Sequence, residues 1–250
     1  MHAFQKIGVV GFGNVGSHIV SRLVDLEFNN IKVWCSLKHE LPKSVQHIQN
    51  ASEFNGCDLV ICAIPDNEML NVLIQVAKFA PAVSVSGTVS IENISTKFPV
   101  GTLYPLLSFV QKKKVNWKQL PIFTNAENKN FLEEITQFAN LLSGNGIILT
   151  EEKRLELHIA AVFANNFTTH LLDTAAHLCE ENKLNFEWLK PLISQNFHAI
   201  MDNHPHLLQT GPAKRNDHST ITNHLSQLEG IRKEIYTLLT TSIMAHYQKQ

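Results

Sequence analysis

None of the four cysteines, Cys35, Cys57, Cys62 and Cys179, stands in a C-x-x-C pair, which excludes a zinc knuckle and a disulfide framework by spacing. Free thiols, buried or partly buried, are the expectation. No apolar segment is long enough to span a bilayer, and the first strand-like run begins so early that no signal peptide fits ahead of it, so the expected location is the cytoplasm. An excess of one charge is missing too: 21 basic and 22 acidic residues leave a net charge of -1, with no field to attract nucleic acid or an anionic membrane surface. The basic run Lys112-Lys113-Lys114 reads as a solvated loop. Thirteen histidines are many, yet the cluster His198, His204, His206 shows no further ligand, and no metal is expected. Repeats and low-complexity segments are absent.

What is present is apolar mass, 44% of 250 residues, enough for one large domain or two modest ones. Near the start, the strand-like run Lys6–Val10 feeds Gly11-Phe12-Gly13-Asn14-Val15-Gly16, and helical spacing follows through Val15, Ile19, Leu23 and Leu26. This is the G-x-G-x-x-G pattern in its strand–turn–helix setting. Gly11 permits the tight turn, Gly13 lets main chain approach a diphosphate, and Gly16 lets the helix pack on the sheet. The exposed amides and positive end of the helix then face the phosphates. Gly11 to Val15 are therefore the first cofactor-binding candidates.

The second strand is expected over Asn30–Cys35. An acidic residue at its end would hold the ribose hydroxyls of NAD, but this chain has Cys35-Ser36-Leu37-Lys38. The Ser36 hydroxyl and Lys38 ammonium suit a 2′-phosphate, so NADP is the expected cofactor, with a solvated surface lysine as the plainer reading of Lys38. Leu41–Glu53 reads as a short helix and a weak third strand. Cys57–Ile64 is a near-continuous apolar run of the buried parallel-strand type, ended by Pro65-Asp66-Asn67, which can cap a helix over Glu68–Phe79. Ligands sit beyond strand ends in such sheets, which makes Ile64 and Pro65 cofactor neighbours or simply a strand exit. Pro81–Ser86 is a further strand, whose exit places Ser86 or Thr88 near nicotinamide or substrate. Strands at Val100–Leu103, Pro121–Thr124 and Gly146–Leu149, with a helix over Asn130–Leu142, complete an α/β alternation.

The pattern then changes. Glu151–Asn182 reads as one long helix without proline or glycine, Leu184–Asn203 as a second helical region with Pro191 near its start, and Ser219–Tyr247 as a third. The expected fold is a Rossmann-type, doubly wound, mainly parallel α/β sheet followed by an all-helical C-terminal domain. The dinucleotide-binding domain is expected over residues 1–150, and a helical substrate and dimerisation domain over 151–250.

At about 100° per residue, His158 and Asn165 project the same way, with Asn166 flanking and His170 a turn beyond. Histidine exchanges protons near neutral pH and asparagine can hold a polar substrate, so His158, Asn165 and Asn166 are the catalytic candidates. Polar residues satisfied at an interhelical or subunit contact would give the same stripe, which Asp173 and His177 prolong. In Lys214-Arg215-Asn216-Asp217, Lys214 and Arg215 could clamp a carboxylate or phosphate. Equally, Asp217 or Ser219 could cap the last helix with the cations in solvent.

Through Gly11-Phe-Gly13-Asn-Val-Gly16, Tyr104-Pro105-Leu106, His158–Asn166 and Thr210–Asp217, the whole chain resembles a family of Rossmann-like proteins described as NADP oxidoreductases. These join an N-terminal dinucleotide-binding domain to a helical domain of unassigned function. In architecture the family is similar to pyrroline-5-carboxylate reductase, deazaflavin-dependent NADP oxidoreductase and the β-hydroxyacid dehydrogenases. The resemblance implies an NADP-binding fold and a homodimer built through the helical domain. The lysine and asparagine four residues apart that the β-hydroxyacid dehydrogenases use have no counterpart near His158, so their mechanism and substrates do not transfer. Relatives often carry histidine where Tyr104 stands, and no role is assigned to it.

The expected function is hydride transfer between NADP and a small polar, anionic substrate in the cleft between the domains. Ser86, Lys214 and Arg215 would contact that substrate. The competing reading is a regulatory or sensor protein that holds NADP(H) without turnover.

Overall fold

The computed structural model describes residues 4–36, 40–111 and 113–247. The expectations placed on Lys38 and Lys112 lie outside the described residues.

Eight strands form one sheet in the order β3-β2-β1-β4-β5-β6-β7-β8. They are β1 (Lys6–Val10), β2 (Asn30–Trp34), β3 (Val45–Ile48), β4 (Leu59–Cys62), β5 (Ala82–Ser84), β6 (Val100–Pro105), β7 (Ile122–Ala126) and β8 (Gly146–Ile148). Neighbours are parallel except β6 and β7, which run antiparallel. The sequence of β4 shows why the sheet is covered on both faces. Leu59 and Ile61 join one apolar cluster, while Val60 and Cys62 join the other. That is the alternation a pleat imposes on a run with no polar member.

Helices α1 (Asn14–Asp25) and α3 (Lys129–Ser143) pack on the first face through Ile19, Val20, Leu23, Phe131, Ile135 and Phe138. Helix α2 (Asp66–Val76) covers the second through Met69, Leu73 and Val76. Segment 41–53 runs in the reverse of the expected order: strand β3 comes first, then a 3-10 turn at Ala51–Phe54 closed by an Asn50–Glu53 capping box. The turn is four residues long, too short to propagate as an α-helix.

Beyond β8 the described chain is helical. The segment expected as one uniform helix is α4 (Glu151–Ala161), a π-helical turn (Val162–Phe167) and α5 (Thr168–Glu181). There follow a 3-10 turn (Phe186–Leu189), α6 (Lys190–Asp202) with proline in its first turn, α7 (Pro205–Leu208), α8 (His218–Ser226) and α9 (Gly230–Tyr247). The last two replace the single helix read over Ser219–Tyr247. Gly230 takes φ +55°, a conformation that interrupts regular α-helix.

The chain divides into two compact units, the first ending at Asn165 and the second beginning at Asn166. Helix α4 goes with the sheet, its polar residues bonding to β6 and to the segment after β5. Within the second unit, Arg232 on α9 forks onto both carboxylate oxygens of Glu181 on α5, at 2.6 and 2.8 Å. Among the described residues, no helix is long and apolar enough to cross a membrane.

Candidate functional site

Strand order reverses at β1, which lies between β2 and β4, and the crevice beyond the carboxyl ends of such strands is where doubly wound sheets bind ligands. The glycine turn is built there. Gly11 donates its amide to the Trp34 carbonyl at 2.8 Å, and Ala63 donates to the Val10 carbonyl at 2.8 Å, tying the exits of β1, β2 and β4 together.

Each glycine of the turn has its own reason. Gly11 has φ +89°, and a Cβ there would stand 2.3 Å from the Ala63 carbonyl oxygen. A Cβ on Gly16 would meet the Gly11 oxygen at 2.1 Å, so helix and turn touch through bare backbone. Gly13 is the opposite case: a Cβ there meets nothing within 4 Å. Gly13 is also the N-cap of α1, with no side-chain cap and no acid in the first turn. The uncapped amides at a helix N-terminus, with open space over Gly13 and no carboxylate nearby in sequence, fit a diphosphate group.

The other cofactor candidates lie about this turn. Phe12 and Val15 pack partly buried on the first cluster, and Asn14 is exposed. Ile64 borders Gly11, its Cγ2 lying 2.9 Å from where a Gly11 Cβ would be, and exposed Pro65 leads into α2. Ser36 is exposed just past β2.

Ser86 follows β5. It is buried, and its Oγ accepts from the amides of Thr88 and Val89 at 3.0 Å each. Thr88 in turn donates to the Asp66 carboxylate at 2.5 Å, with its oxygen 3.3 Å from Ser86 Oγ. The Ser86 hydroxyl oxygen thus builds the turn after β5 as the acceptor of two backbone amides. Asp66 is the first residue inside α2, not its cap, and it ties that helix to the same turn.

Helix α4 lays a polar face against β6 and the segment after β5. Arg154 is only 1% exposed; its Nη1 donates to Thr102 Oγ1 at 2.5 Å and its Nη2 to the Val89 carbonyl at 2.7 Å. Glu151 accepts from the Ile91 amide at 3.2 Å and lies 4.0 Å from Arg154 Nη2. Burial weighs against the Arg154 charge, while Glu151, Tyr104 and Asp66 favour it. One turn on, His158 Nδ1 lies 3.0 Å from the Tyr104 hydroxyl, with the rings tilted at 58°. Gly87 makes room for this pair, since a Cβ there would stand 2.4 Å from His158 Nδ1 and 2.9 Å from Tyr104 Cζ. Burial raises the Tyr104 hydroxyl above the usual phenol range, Arg154 lowering it and Asp66 raising it by smaller amounts.

Asn165, in the π turn, donates to Ser108 Oγ at 2.5 Å. His158 and Asn165 therefore both reach the segment at and just beyond β6. The stripe is not carried further by α-helical register, because the π turn holds Asn165 and Asn166 and intervenes before His170, Asp173 and His177. Asn166 is exposed in the second unit, and His177 pairs with Asp173 at 3.5 Å on its own helix. In the Thr210–Asp217 loop, Asp217 caps α8, accepting from the Thr220 amide at 3.0 Å. Lys214 bonds the Gln209 carbonyl at 2.9 Å and sits over the Tyr247 ring, and Arg215 is exposed. The helix-start reading describes Asp217, and Lys214 is engaged locally.

Two residues central to this arrangement, Arg154 and Tyr104, were not among the sequence candidates. Arg154 hid in the charged run Glu151-Glu152-Lys153-Arg154, which looks like a solvated helix start. Its spacing of four residues from His158 was the available signal.

Residues 120–243 match the family described as Domain of unknown function (DUF2520). A comparison with curated protein sequences finds no match. Among solved structures, the chain is similar to BF3122 from Bacteroides fragilis, provisionally assigned as an NADP oxidoreductase, with 25% identity, a TM-score of 0.86 and coverage of 97% of this chain and 99% of that one. Protein TM1727 from Thermotoga maritima is 20% identical, with a TM-score of 0.71 over 97% and 98% of the two chains. Pyrroline carboxylate reductase from Plasmodium falciparum, solved with NADP bound, is 14% identical, with a TM-score of 0.60 over 98% and 100%. The chain thus has the Rossmann-like fold of these structures, and its residues 120–243 match DUF2520.

Proposed function

We propose that this protein binds NADP(H) through the turn from Gly11 to Gly16 and is an oxidoreductase acting on a small polar, anionic substrate. The observation that carries the reading is the open, uncapped start of α1 at Gly13, placed where the sheet changes strand order. NADP is preferred to NAD because the exposed residue past β2 is Ser36, a hydroxyl and not a carboxylate. When bound, the nicotinamide supplies or takes up the hydride.

The chain's own part is to hold the nucleotide and to handle the proton. Main-chain amides at the start of α1 meet the diphosphate. His158, steadied by Tyr104 at Nδ1, exchanges a proton with the substrate at its other ring nitrogen. Asn165, which donates to Ser108 just beyond β6, is a further hydrogen-bonding group of the first unit. A homodimer through the second unit accompanies this reading, supported by α9, which buries none of its residues.

Calorimetry with NADPH and NADH is the first test, followed by a panel of carbonyl and imine compounds monitored by NADPH absorbance. Saturable NADPH binding, tighter than NADH and lost in Gly13→Val, is expected. With a substrate in hand, His158→Ala should lower turnover by roughly 10²–10⁴-fold, the range for a lost acid–base group. Absence of nucleotide binding overturns the proposal, and binding without turnover across the panel assigns the protein a non-catalytic, nucleotide-holding role.

A further inference from the structure

Strand β6 and helix α4 meet through two rungs. Thr102 and Tyr104 are two residues apart on a strand and share a face; Arg154 and His158 are four apart on a helix and share a side. The first rung is Arg154 to Thr102, the second Tyr104 to His158. Arg154 is clamped by Thr102 and the Val89 carbonyl, and its Nε has no hydrogen-bond partner among the described residues. It is therefore a fixed, buried positive charge one rung from the Tyr104 hydroxyl, with Glu151 4.0 Å from its Nη2.

A phenol and a neutral imidazole can share a hydrogen bond in either sense. Tyr104 O–H donates to Nδ1, or Nδ1–H donates to the phenol oxygen. A cation attracts the oxygen lone pairs and turns the hydroxyl hydrogen away from itself, toward His158. Asp66 pulls the other way, but its carboxylate is exposed and already accepts from Thr88. With Nδ1 occupied as an acceptor, neutral His158 carries its proton on Nε2. That nitrogen makes no hydrogen bond among the described residues and is not a buried orphan.

We propose that Arg154 is a positioning residue that fixes the Tyr104–His158 hydrogen bond with tyrosine as donor, so that His158 offers Nε2–H to a lone-pair acceptor, the oxygen of a carbonyl or the nitrogen of an imine. This rests on the oxidoreductase reading for its substrate class, and it selects the oxidised partner, C=O or C=N, as the form the site recognises. In that direction a bound nicotinamide would supply the hydride, and the substrate oxygen or nitrogen gains the Nε2 proton as Tyr104 passes its hydroxyl proton to Nδ1, so that the ring stays neutral and Tyr104 is reprotonated from solvent.

The test is the tautomer of His158 in ligand-free protein, read by long-range ¹H–¹⁵N correlation in ¹⁵N-histidine-labelled chain, with the signal assigned by its loss in His158→Gln. In the neutral ring, Nε2–H should outweigh Nδ1–H by roughly tenfold or more, the scale of a charge–dipole contact in a partly buried site. Arg154→Met should lower that ratio severalfold, and Arg154→Lys should restore most of it. Thr102→Val, which keeps the charge and loses one anchor, should leave it unchanged. A protonated Nδ1 in the wild-type chain overturns the proposal, as does an unaltered ratio in folded Arg154→Met. If Arg154→Met does not fold, the wild-type tautomer and Thr102→Val decide, and loss of the ratio in Thr102→Val assigns the effect to the anchor and not to the charge. No nucleotide or substrate enters the measurement, so its failure is distinct from failure of the nucleotide-binding assay.

Discussion

Three glycines in six residues do three different jobs, and substitution separates them. A side chain on Gly11 combines a left-handed φ with a backbone oxygen at 2.3 Å, so Gly11→Ala should cost about 2 kcal/mol or more, from the roughly 1–2 kcal/mol left-handed penalty plus the clash. At roughly 2–4 °C per kcal/mol for a chain of this size, the melting temperature should fall by roughly 4–8 °C or more. Gly13→Val should melt like the wild type while losing NADPH, because its Cβ meets no protein atom. Equal melting of Gly11→Ala and wild type would refute the steric account. Thiols obey the same residue-level logic. Burial pushes Cys62 up to about 12 and raises Cys35 less, and the thiolate is the reactive form. At pH 8 a disulfide reagent should therefore label partly exposed Cys35 first and leave Cys62 until the chain unfolds; early modification of Cys62, located by mass spectrometry, would contradict this.

At the scale of elements, capping decides a pH response. Bonds from the Thr220 amide and hydroxyl hold the Asp217 carboxyl below the usual carboxylate range, nearby Arg215 and His224 adding to the effect. A depressed folded value means that the cap stabilises α8 above the ordinary aspartate range, and that this stabilisation is lost as pH falls through the lowered value. Asp217→Asn keeps an amide acceptor without the titration, so thermal melts of the variant should fall less between pH 7 and pH 3 than those of wild type. The group is solvent-exposed, so the difference should be small and should shrink with salt.

Elements were also where the sequence was most and least readable. The all-apolar β4 and the glycine turn announced themselves, because buried parallel strands and diphosphate turns leave few choices of residue. The π turn over Val162–Phe167 did not, since it contains neither glycine nor proline and its local periodicity is that of a helix. Arg154 and Tyr104 were missed for a related reason: a buried arginine is recognised by what surrounds it, and Thr102, Val89 and Glu151 come from three separate stretches of chain. Ser86 shows a further limit, because a hydroxyl at a strand exit serves its own turn as readily as a ligand.

At the scale of the whole molecule, self-association is argued from the second unit. Helix α9 has 18 residues and buries none of them. Ile231 and Leu238, seven residues apart and so on one stripe, are 66% and 71% exposed, with Ile235 half-buried between them. Apolar surface of this kind gains roughly 25 cal/mol per Å² when covered. A second copy of the chain would supply that cover on a two-fold axis, as closed homo-oligomers do. Light scattering should then return twice the 28.1 kDa of one chain. The pair Ile231→Asp and Leu238→Asp should return the single mass while still binding NADPH, because the glycine turn belongs to the first unit and these residues to the second. A doubly substituted chain that remains dimeric would move the interface off α9. A wild-type chain that is monomeric at micromolar concentration would remove the dimer itself, and neither result would touch the nucleotide site.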